Sequence, residues 1–231
     1  MAAIRLDKKL KIPRKKMSNI ARSHDYHIQV VTNDHFNANT YILKSNSNQN
    51  GCYLIDIGNY EGVIQLLEKN QYIKGIFLTH AHYDHICGIN KIIDRFPHCK
   101  ILSSSYTKEA LRDSKMNLSF YHNTPITYNG NNIKVVDDQE TLDLFQNDQL
   151  TILETPGHNK GSLSFKIGHA IFTGDSLIPD RAVITKLKSG NKVEALASII
   201  KIKNNSKIND VIYPGHGESF EANTINWNFY L

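Results

Sequence analysis

Short apolar runs alternate with polar, turn-rich segments along most of the chain. In the first half this pattern predicts strands over residues 26–31, 40–43, 52–58, 75–78 and 100–103. In the second half it predicts strands over residues 133–136, 150–153, 163–167, 170–173 and 210–213. Apolar residues at helical spacing predict helices over residues 62–70, 86–96, 105–114 and 193–202.

The order of these elements indicates two β-sheets packed on each other. Each half runs through several strands, then a helix, then a further strand. Polar turns between the first strands favour antiparallel pairing, and a sheet buries its apolar face against another layer. No linker rich in Gly, Pro or Ser divides the sequence. We therefore predict a single domain over residues 23–231, with helices outside the two sheets.

The composition is that of an ordinary globular protein. Of 231 residues, 40% are hydrophobic and 21% are charged, and no stretch approaches the roughly 18 apolar residues that span a membrane. Cys52, Cys87 and Cys99 form no C-x-x-C pair, which argues against a disulfide framework or a thiolate zinc site. We therefore expect a cytoplasmic protein with no membrane partner.

Positive charge is concentrated at the N-terminus. The formal net charge is +5, and residues 1–22 contain eight Lys or Arg against one Asp, so the remainder carries −2. We predict that residues 1–22 form a basic, disordered arm. Met17 is an alternative start, because the patterned sequence begins only near His24. The alternative function of this arm is binding to nucleic acid or to an anionic membrane.

The strongest chemical signal lies in the segment Leu78-Thr79-His80-Ala81-His82-Tyr83-Asp84-His85. It contains three histidines and one aspartate between a predicted strand and a predicted helix. Imidazole and carboxylate side chains both bind divalent metals, and histidine is the commonest metal ligand. Four such side chains so close together predict a metal site.

Three further turns share one design, in which an apolar run is followed by a glycine and then by a histidine or an aspartate. They are Thr155-Pro156-Gly157-His158, Thr173-Gly174-Asp175 and Tyr213-Pro214-Gly215-His216. A lone histidine or aspartate after a strand more often caps a turn, but the recurrence of this design argues against coincidence. Seven ligands exceed the four of one tetrahedral metal. They predict two metals that share a bridging carboxylate.

These motifs resemble those of the metallo-β-lactamase superfamily. His80-Ala81-His82-Tyr83-Asp84-His85 matches its H-x-H-x-D-H signature. The match extends over Leu54-Ile55-Asp56-Ile57-Gly58, the three turns above, Gly161-Ser162 and Gly217, and so covers about residues 25–220. The resemblance implies an α/β (α+β) fold, namely an αββα sandwich of two mixed β-sheets with flanking helices.

The resemblance also implies a role for each candidate residue. The expected ligands of the first metal are His80, His82 and His158. The expected ligands of the second metal are Asp84, His85 and His216. Asp175 is expected to bridge the two metals, and Asp56 is expected to orient a ligand histidine.

The turn at His158 with Gly161-Ser162 is similar to the glyoxalase II (hydroxyacylglutathione hydrolase) and lactonase branches, whereas a bridging Asp175 is unlike the β-lactamases. This implies a dinuclear metal-dependent hydrolase of a small-molecule thioester. A hydroxide between two divalent ions would be the nucleophile, with Asp84 and Asp175 as catalytic residues. Zinc fits the histidine-rich ligand set best, with iron or manganese as alternatives.

Two loops beside the ligand turns are expected to line the substrate, residues 115–125 and 181–188. Within them, Tyr121, His122 and Arg181 are the substrate-side candidates. Residues 115–125 form a long irregular segment with aromatic side chains, which is typical of a substrate loop. The alternative is a segment that covers the edge of the hydrophobic core.

Four other functions remain alternatives. Lactone or β-lactam hydrolysis would use the same nucleophile on a cyclic ester or amide. A persulfide dioxygenase would hold one iron, although this chain has a full second set of ligands. A nuclease would need basic residues near the site, and the basic arm is remote in sequence. A non-catalytic binding module would be expected to lack ligands, and none of the seven is missing.

Overall fold

A computed structural model describes residues 25–34, 36–47, 49–146 and 148–231. The predicted basic arm at residues 1–22 and the alternative start at Met17 lie outside the described residues. None of the helices within the described ranges is long and apolar enough to cross a membrane.

The first sheet contains six strands in sequence order. They are β1 (Tyr26–Thr32), β2 (Asn39–Ser45), β3 (Gly51–Ile55), β4 (Tyr72–Phe77), β5 (Lys100–Ser103) and β6 (Ile133–Val135). The strands β1 to β3 pair antiparallel, as the sequence predicted, and β3 to β6 pair parallel. Four helices connect the parallel strands or follow them: α1 (Tyr60–Leu66), α2 (Tyr83–Ile86), α3 (Ile89–Arg95) and α4 (Ser105–Ala110).

The second sheet also contains six strands. They are β7 (Thr141–Phe145), β8 (Asp148–Glu154), β9 (Leu163–Ile167), β10 (Ala170–Gly174), β11 (Val211–Pro214) and β12 (Phe220–Glu221), in the spatial order β12-β11-β10-β9-β8-β7. The pair β10–β11 is parallel and is connected through the helix α5 (Lys192–Asn205), whereas the other neighbours are antiparallel.

Three apolar clusters hold these layers together. The central cluster joins the facing sides of both sheets, for example Tyr41 and Phe77 of the first with Phe165 and Phe172 of the second. A second cluster packs the outer face of the first sheet against α2 and α3, and a third packs α5 against the outer face of the second sheet through Ile202. Each fully buried large side chain contributes about 1.5–3 kcal/mol. The predicted sandwich of two mixed sheets with flanking helices is confirmed.

The single helix predicted over residues 86–96 is wrong, because the chain breaks it into α2 and α3 at Cys87 and Gly88. The Gly88 N–H donates to the Ile57 carbonyl at 2.9 Å, and a Cβ at this glycine would lie 2.9 Å from the Ile57 side chain. Because Gly88 packs this closely against the connection between β3 and α1, the helix does not continue through it. One consequence is that Asp84 and His85 lie on α2 itself.

Two strands, β7 and β12, were not predicted. The short β12 pairs with β11 over two residues, and β7 leaves half of its side chains outside the core. Ser104 is the N-cap of α4, since its Oγ accepts the N–H of Thr107 at 3.1 Å.

Candidate metal centre

Side chains of all seven predicted metal ligands converge where strands of both sheets end. The first sheet supplies the turn after β4 and the start of α2, with His80, His82, Asp84 and His85. The second sheet supplies the turns after β8, β10 and β11, with His158, Asp175 and His216.

Glycines let these turns approach one another closely. Gly174 has a positive φ of 50°, and a Cβ there would lie 2.7 Å from the side chain of Thr79. A Cβ at Gly215 would lie 2.2 Å from the Asp175 Oδ1. Gly174 is therefore required by the approach of the second sheet to the turn after β4, and Gly215 by the approach of two turns of the second sheet to each other.

The first group of ligand atoms comes from three buried histidines, His80, His82 and His158. Their ligand nitrogens lie within 4.8 Å of one another. The His158 Nε2 and the His82 Nδ1 are 2.9 Å apart. Three imidazole nitrogens that face one point form a typical set of zinc ligands.

The second group comes from Asp84, His85 and His216, whose ligand atoms also lie within 4.8 Å of one another. The Asp84 Oδ2 is 3.7 Å from the His85 Nε2 and 3.4 Å from the His216 Nε2. The side chains of Asp84 and His216 are 18% and 15% exposed, so this group faces the open side of the centre.

Asp175 lies between the two groups. Its Oδ2 is 3.4 Å from the Nε2 of both His158 and His216, and its Oδ1 is 3.4 Å from the His85 Nε2. One carboxylate therefore reaches a nitrogen of the first group and two nitrogens of the second. This is the position that a bridging ligand requires.

Three buried atoms of this cluster lack a hydrogen-bond partner among the described residues, namely the Nε2 of His80, the Nε2 of His85 and the Oδ1 of Asp175. Buried polar atoms without partners are rare, because each one is costly. All three atoms belong to predicted ligands, and each offers a lone pair to a metal once it carries no proton. The donor set therefore fits divalent cations.

Asp56 fixes the orientation of two of these histidines. Its Oδ2 accepts a hydrogen bond from the His85 Nδ1–H at 2.8 Å and another from the Thr79 hydroxyl at 2.7 Å. The Thr79 Oγ1 in turn lies 3.0 Å from the His80 Nδ1. Because the Nδ1 atoms hold the protons, each ring directs an Nε2 lone pair into the centre. The sequence analysis identified Asp56 but missed Thr79.

The remaining histidines are held by groups that the sequence analysis missed. The Nδ1–H of His158 donates to the Ile184 carbonyl at 2.9 Å, and the Nδ1–H of His216 donates to the Phe36 carbonyl at 3.1 Å. The amide of Asn159 lies 3.2 Å from the His82 Nε2. A backbone carbonyl leaves no signal in the sequence, whereas the position of Asn159 directly after His158 was a usable clue.

Burial keeps the histidines of the first group neutral. It lowers the pKa of His82 to about 3, with a further contribution from His158. It also lowers the pKa values of His80 and His158. Neutral imidazole is the form that binds metals.

The second group has the opposite electrostatics. Burial disfavours the charged form of His216, but hydrogen bonds with Asp175 and Asp84 raise its pKa to about 9. Burial likewise opposes charge on His85, yet Asp84 and Asp175 raise its pKa well above the usual value. Burial raises the pKa of Asp175, but His85 and His216 hold it well below its usual range. In the metal-free protein, protons on the two histidines therefore balance the carboxylates.

The substrate-side candidates take different positions. His122 stacks on Tyr83, with ring centroids 4.4 Å apart, and meets the edge of Phe36 at 5.1 Å. Tyr121 is 70% exposed. Arg181 is also exposed and forms an isolated bridge with Ile178. Of the three, His122 packs against residues that adjoin the metal centre.

A pocket of about 110 Å³ adjoins His82. Its other lining residues include Tyr106, Lys115, Met116, Leu118, Leu187 and Lys188. Both predicted substrate loops therefore contribute to it, through residues that the sequence analysis did not single out. A larger cavity of about 400 Å³ beside Arg112 is polar, and its described lining residues include none of the candidate ligands.

Comparison with known proteins agrees with this geometry. The family model of the metallo-beta-lactamase superfamily matches residues 33–216. A hydroxyacylglutathione hydrolase of Prochlorococcus marinus (strain MIT 9312) is 30% identical over 176 residues, which cover 74% of this chain and 62% of that enzyme. The chain thus spans less than two thirds of the length of that relative.

Two further proteins are similar over larger parts of their length. The probable polyketide biosynthesis zinc-dependent hydrolase PksB of Bacillus subtilis (strain 168) is 27% identical, with 72% of each chain covered. The solved structure of BLEG-1 B3 metallo-beta-lactamase has a TM-score of 0.76 at 24% identity and covers 85% of this chain and 95% of that one. Since the family model spans most of the sequence and its range includes all seven candidate ligands of the centre described above, the chain belongs to the metallo-beta-lactamase superfamily.

Proposed function

We propose that this protein is a dinuclear metal-dependent hydrolase that acts on a thioester. The observation that supports it best is the convergence of seven potential ligands. Three of them place a buried atom there that has no hydrogen-bond partner among the described residues. His80, His82 and His158 would hold one metal, Asp84, His85 and His216 the other, and Asp175 would bridge them. Bound divalent metals would lower the pKa of water towards about 7 and polarise the carbonyl of the substrate.

The protein's own groups would position the reaction. Asp56 keeps the His85 ring in the tautomer that presents its Nε2. Asp84 has the most exposed carboxylate of the centre, so it can accept a hydrogen bond from a water on the open side and orient that water towards a substrate in the pocket beside His82.

The choice of a thioester follows from the leaving group. The carboxylates of Asp84 and Asp175 both face histidine nitrogens of the centre, so neither is placed to protonate a departing group. A thiolate, with a pKa of about 8.5, leaves without a proton, whereas an amine or an alcohol needs one. The names of the hydroxyacylglutathione hydrolase relatives support the same substrate class.

For the metals we propose zinc. The ligand set contains nitrogen and carboxylate oxygen and no thiolate, which suits zinc but also iron and manganese. The relative PksB is named a zinc-dependent hydrolase. A cytoplasmic location is also proposed, since all three cysteines are free.

The test combines metal analysis with a substrate panel. The protein, loaded in turn with zinc, iron or manganese, is assayed with acyl-glutathione, acyl-N-acetylcysteamine, an acyl-homoserine lactone, a β-lactam and a phosphodiester. We expect two metal equivalents and the highest kcat/KM for a thioester. Asp175→Asn should abolish turnover, whereas Asp210→Asn, at a buried aspartate of the second sheet, should retain it.

Other outcomes would identify a different activity. Faster turnover of the lactone, the β-lactam or the phosphodiester than of both thioesters would refute the proposed substrate class. Oxygen uptake with a persulfide at a single iron would refute the hydrolase itself.

A further inference from the structure

The pocket beside His82 is formed by two loops that are distant in sequence. One contributes Lys115, Met116 and Leu118, and the other contributes Leu187 and Lys188. Methionine and leucine side chains supply an apolar lining, and both lysines are exposed and lie on opposite loops. The pocket beside the metal centre therefore combines apolar side chains with two exposed lysines, and the Lys115 ammonium lies 5.0 Å from the Phe120 ring centroid.

No carboxylate balances these ammonium groups. The described residues that line the pocket include no Asp or Glu. Neither Lys115 nor Lys188 forms an ion pair with a carboxylate within the described part of the chain. The nearby Asp113 forms no ion pair with either lysine among the described residues, and its Oδ1 accepts the backbone N–H groups of Lys115 and Met116 at 2.8 and 3.3 Å.

The excess of positive charge around the pocket contrasts with the net negative charge of the chain after residue 24. Residues 1–24 hold eight of the 27 Lys and Arg and one of the 22 Asp and Glu, so the rest of the chain carries a net charge of −2. Residues 181–192 nevertheless contain four Lys or Arg and no acid. A third ammonium, on Lys160, lies 5.8 Å from the ring centroid of Tyr106, which also lines the pocket. Cations gathered at the mouth of a cleft attract anionic ligands.

We propose that the substrate carries an anionic group, a carboxylate or a phosphate, which binds between Lys115 and Lys188 and is separated from the reacting carbonyl by a short apolar segment. This inference rests on the proposed thioester hydrolysis at the same centre. A zwitterionic end group suits the pocket less well, because the described lining offers no acid to an ammonium. The anion can belong to the acyl group or to the thiol, and the two sources are separable by synthesis.

Matched substrates test this inference. Butyryl-N-acetylcysteamine is the neutral reference, succinyl-N-acetylcysteamine adds a carboxylate to the acyl group, and the butyryl thioester of 3-mercaptopropionate adds one to the thiol. We expect at least one anionic thioester to exceed the reference by about tenfold in kcat/KM, because two exposed ion pairs each contribute up to about fivefold. High salt should reduce this advantage.

Lysine variants identify the residues responsible. Lys115→Ala and Lys188→Ala should each lower the ratio of kcat/KM for the anionic thioester to kcat/KM for the neutral thioester by up to about fivefold. Lys69→Ala removes an exposed lysine of the α1–β4 connection and serves as the matched control. Equal kcat/KM for neutral and anionic thioesters, or a ratio that both pocket variants leave unchanged, would overturn the inference.

A binding experiment keeps the two proposals distinguishable. The affinity of the metal-loaded protein for 3-mercaptopropionate is compared with its affinity for 3-mercaptopropionamide by calorimetry. We expect tighter binding of the carboxylate, and we expect Lys115→Ala and Lys188→Ala to remove that preference. If no thioester is hydrolysed, the proposed function fails while this comparison still decides whether the pocket selects an anion. Equal affinities would refute binding of an anion on the thiol, and if the succinyl and butyryl thioesters also had equal kcat/KM, the anion site would be refuted even in an active thioesterase.

Discussion

Substitution of Asp56 by asparagine tests how the ligand histidines are held. The carboxylate is buried and accepts three hydrogen bonds, from the Thr79 N–H, the Thr79 hydroxyl and the His85 Nδ1–H, at 2.7, 2.7 and 2.8 Å. The backbone has a φ of 60°, in the left-handed region that asparagine adopts readily. Asp56→Asn therefore changes the charge and the acceptors while the backbone conformation stays accessible.

The expected loss follows from the count of acceptors. An asparagine has one carbonyl oxygen, and its amide N–H₂ must face at least one of the three donors. One or two hydrogen bonds to a charged acceptor are therefore lost, at about 1.5–3 kcal/mol each, so we expect a destabilisation of about 2–5 kcal/mol. Loss of the groups that orient ligand histidines lowers metal affinity by about 10- to 100-fold.

The assay measures metal affinity by competition with a chromophoric chelator, alongside thermal unfolding of the metal-free and metal-loaded protein. Asp210→Asn is the matched control, because Asp210 is equally buried and accepts from Lys166 and His169 at the second sheet. It should lower stability and leave metal affinity unchanged. If Asp56→Asn bound two metals within about threefold of the original affinity, the orienting role would be refuted.

Four further predictions concern the centre itself. Asp175→Ala should lower the bound metal from two equivalents to one or fewer, and retention of both metals with full turnover would contradict the bridging role. Gly215→Ala should lower metal affinity without a change of charge, because its Cβ would lie 2.2 Å from the Asp175 Oδ1, and unchanged affinity by chelator competition would contradict this. Metal affinity should rise between about pH 6.5 and pH 9, because the raised pKa of His216 means that a proton must leave before metal binds; calorimetry in buffers of different ionisation enthalpy measures that proton. The raised pKa of His216 also predicts that the metal-free protein loses thermal stability as the pH rises through about 9, because protonated His216 stabilises the fold fully below pH 6.5. A thermal stability that does not change with pH over this range would contradict this prediction.

The convergence of the seven candidate ligands was easier to predict from the sequence than their surroundings, for a physical reason. Ligand chemistry is confined to a few residue types, and glycine beside each of the later ligands marked the turns that bring them together. The β5 and β9 strands were predicted with their observed bounds, because each is a short run of mainly buried residues between clear turns. Whether one domain extends over residues 23–231 stays a prediction.

The features that the sequence did not predict depend on contacts between segments that are distant in sequence. The break at Gly88 exists because α2 and α3 pack on the Ile57 connection, which no local pattern reveals. The sequence predicted that residues 115–125 and 181–188 line the substrate, but it did not single out Lys115 or Lys188 within them. The fold instead brings both lysines to the pocket beside His82.

The hydrogen bonds of two ligand histidines link the metal centre to the loops around it. His158 donates to the Ile184 carbonyl, in the loop that contributes Leu187 and Lys188 to the pocket. His216 donates to the Phe36 carbonyl, and the Phe36 ring packs against His122 of the other loop. The loop of residues 181–188 therefore holds the proton on the outer nitrogen of His158 directly, and the loop of residues 115–125 contacts the residue that accepts from His216. Because linkage is reciprocal, metal that selects this tautomer should also order the loops, and substrate that orders the loops should strengthen metal binding.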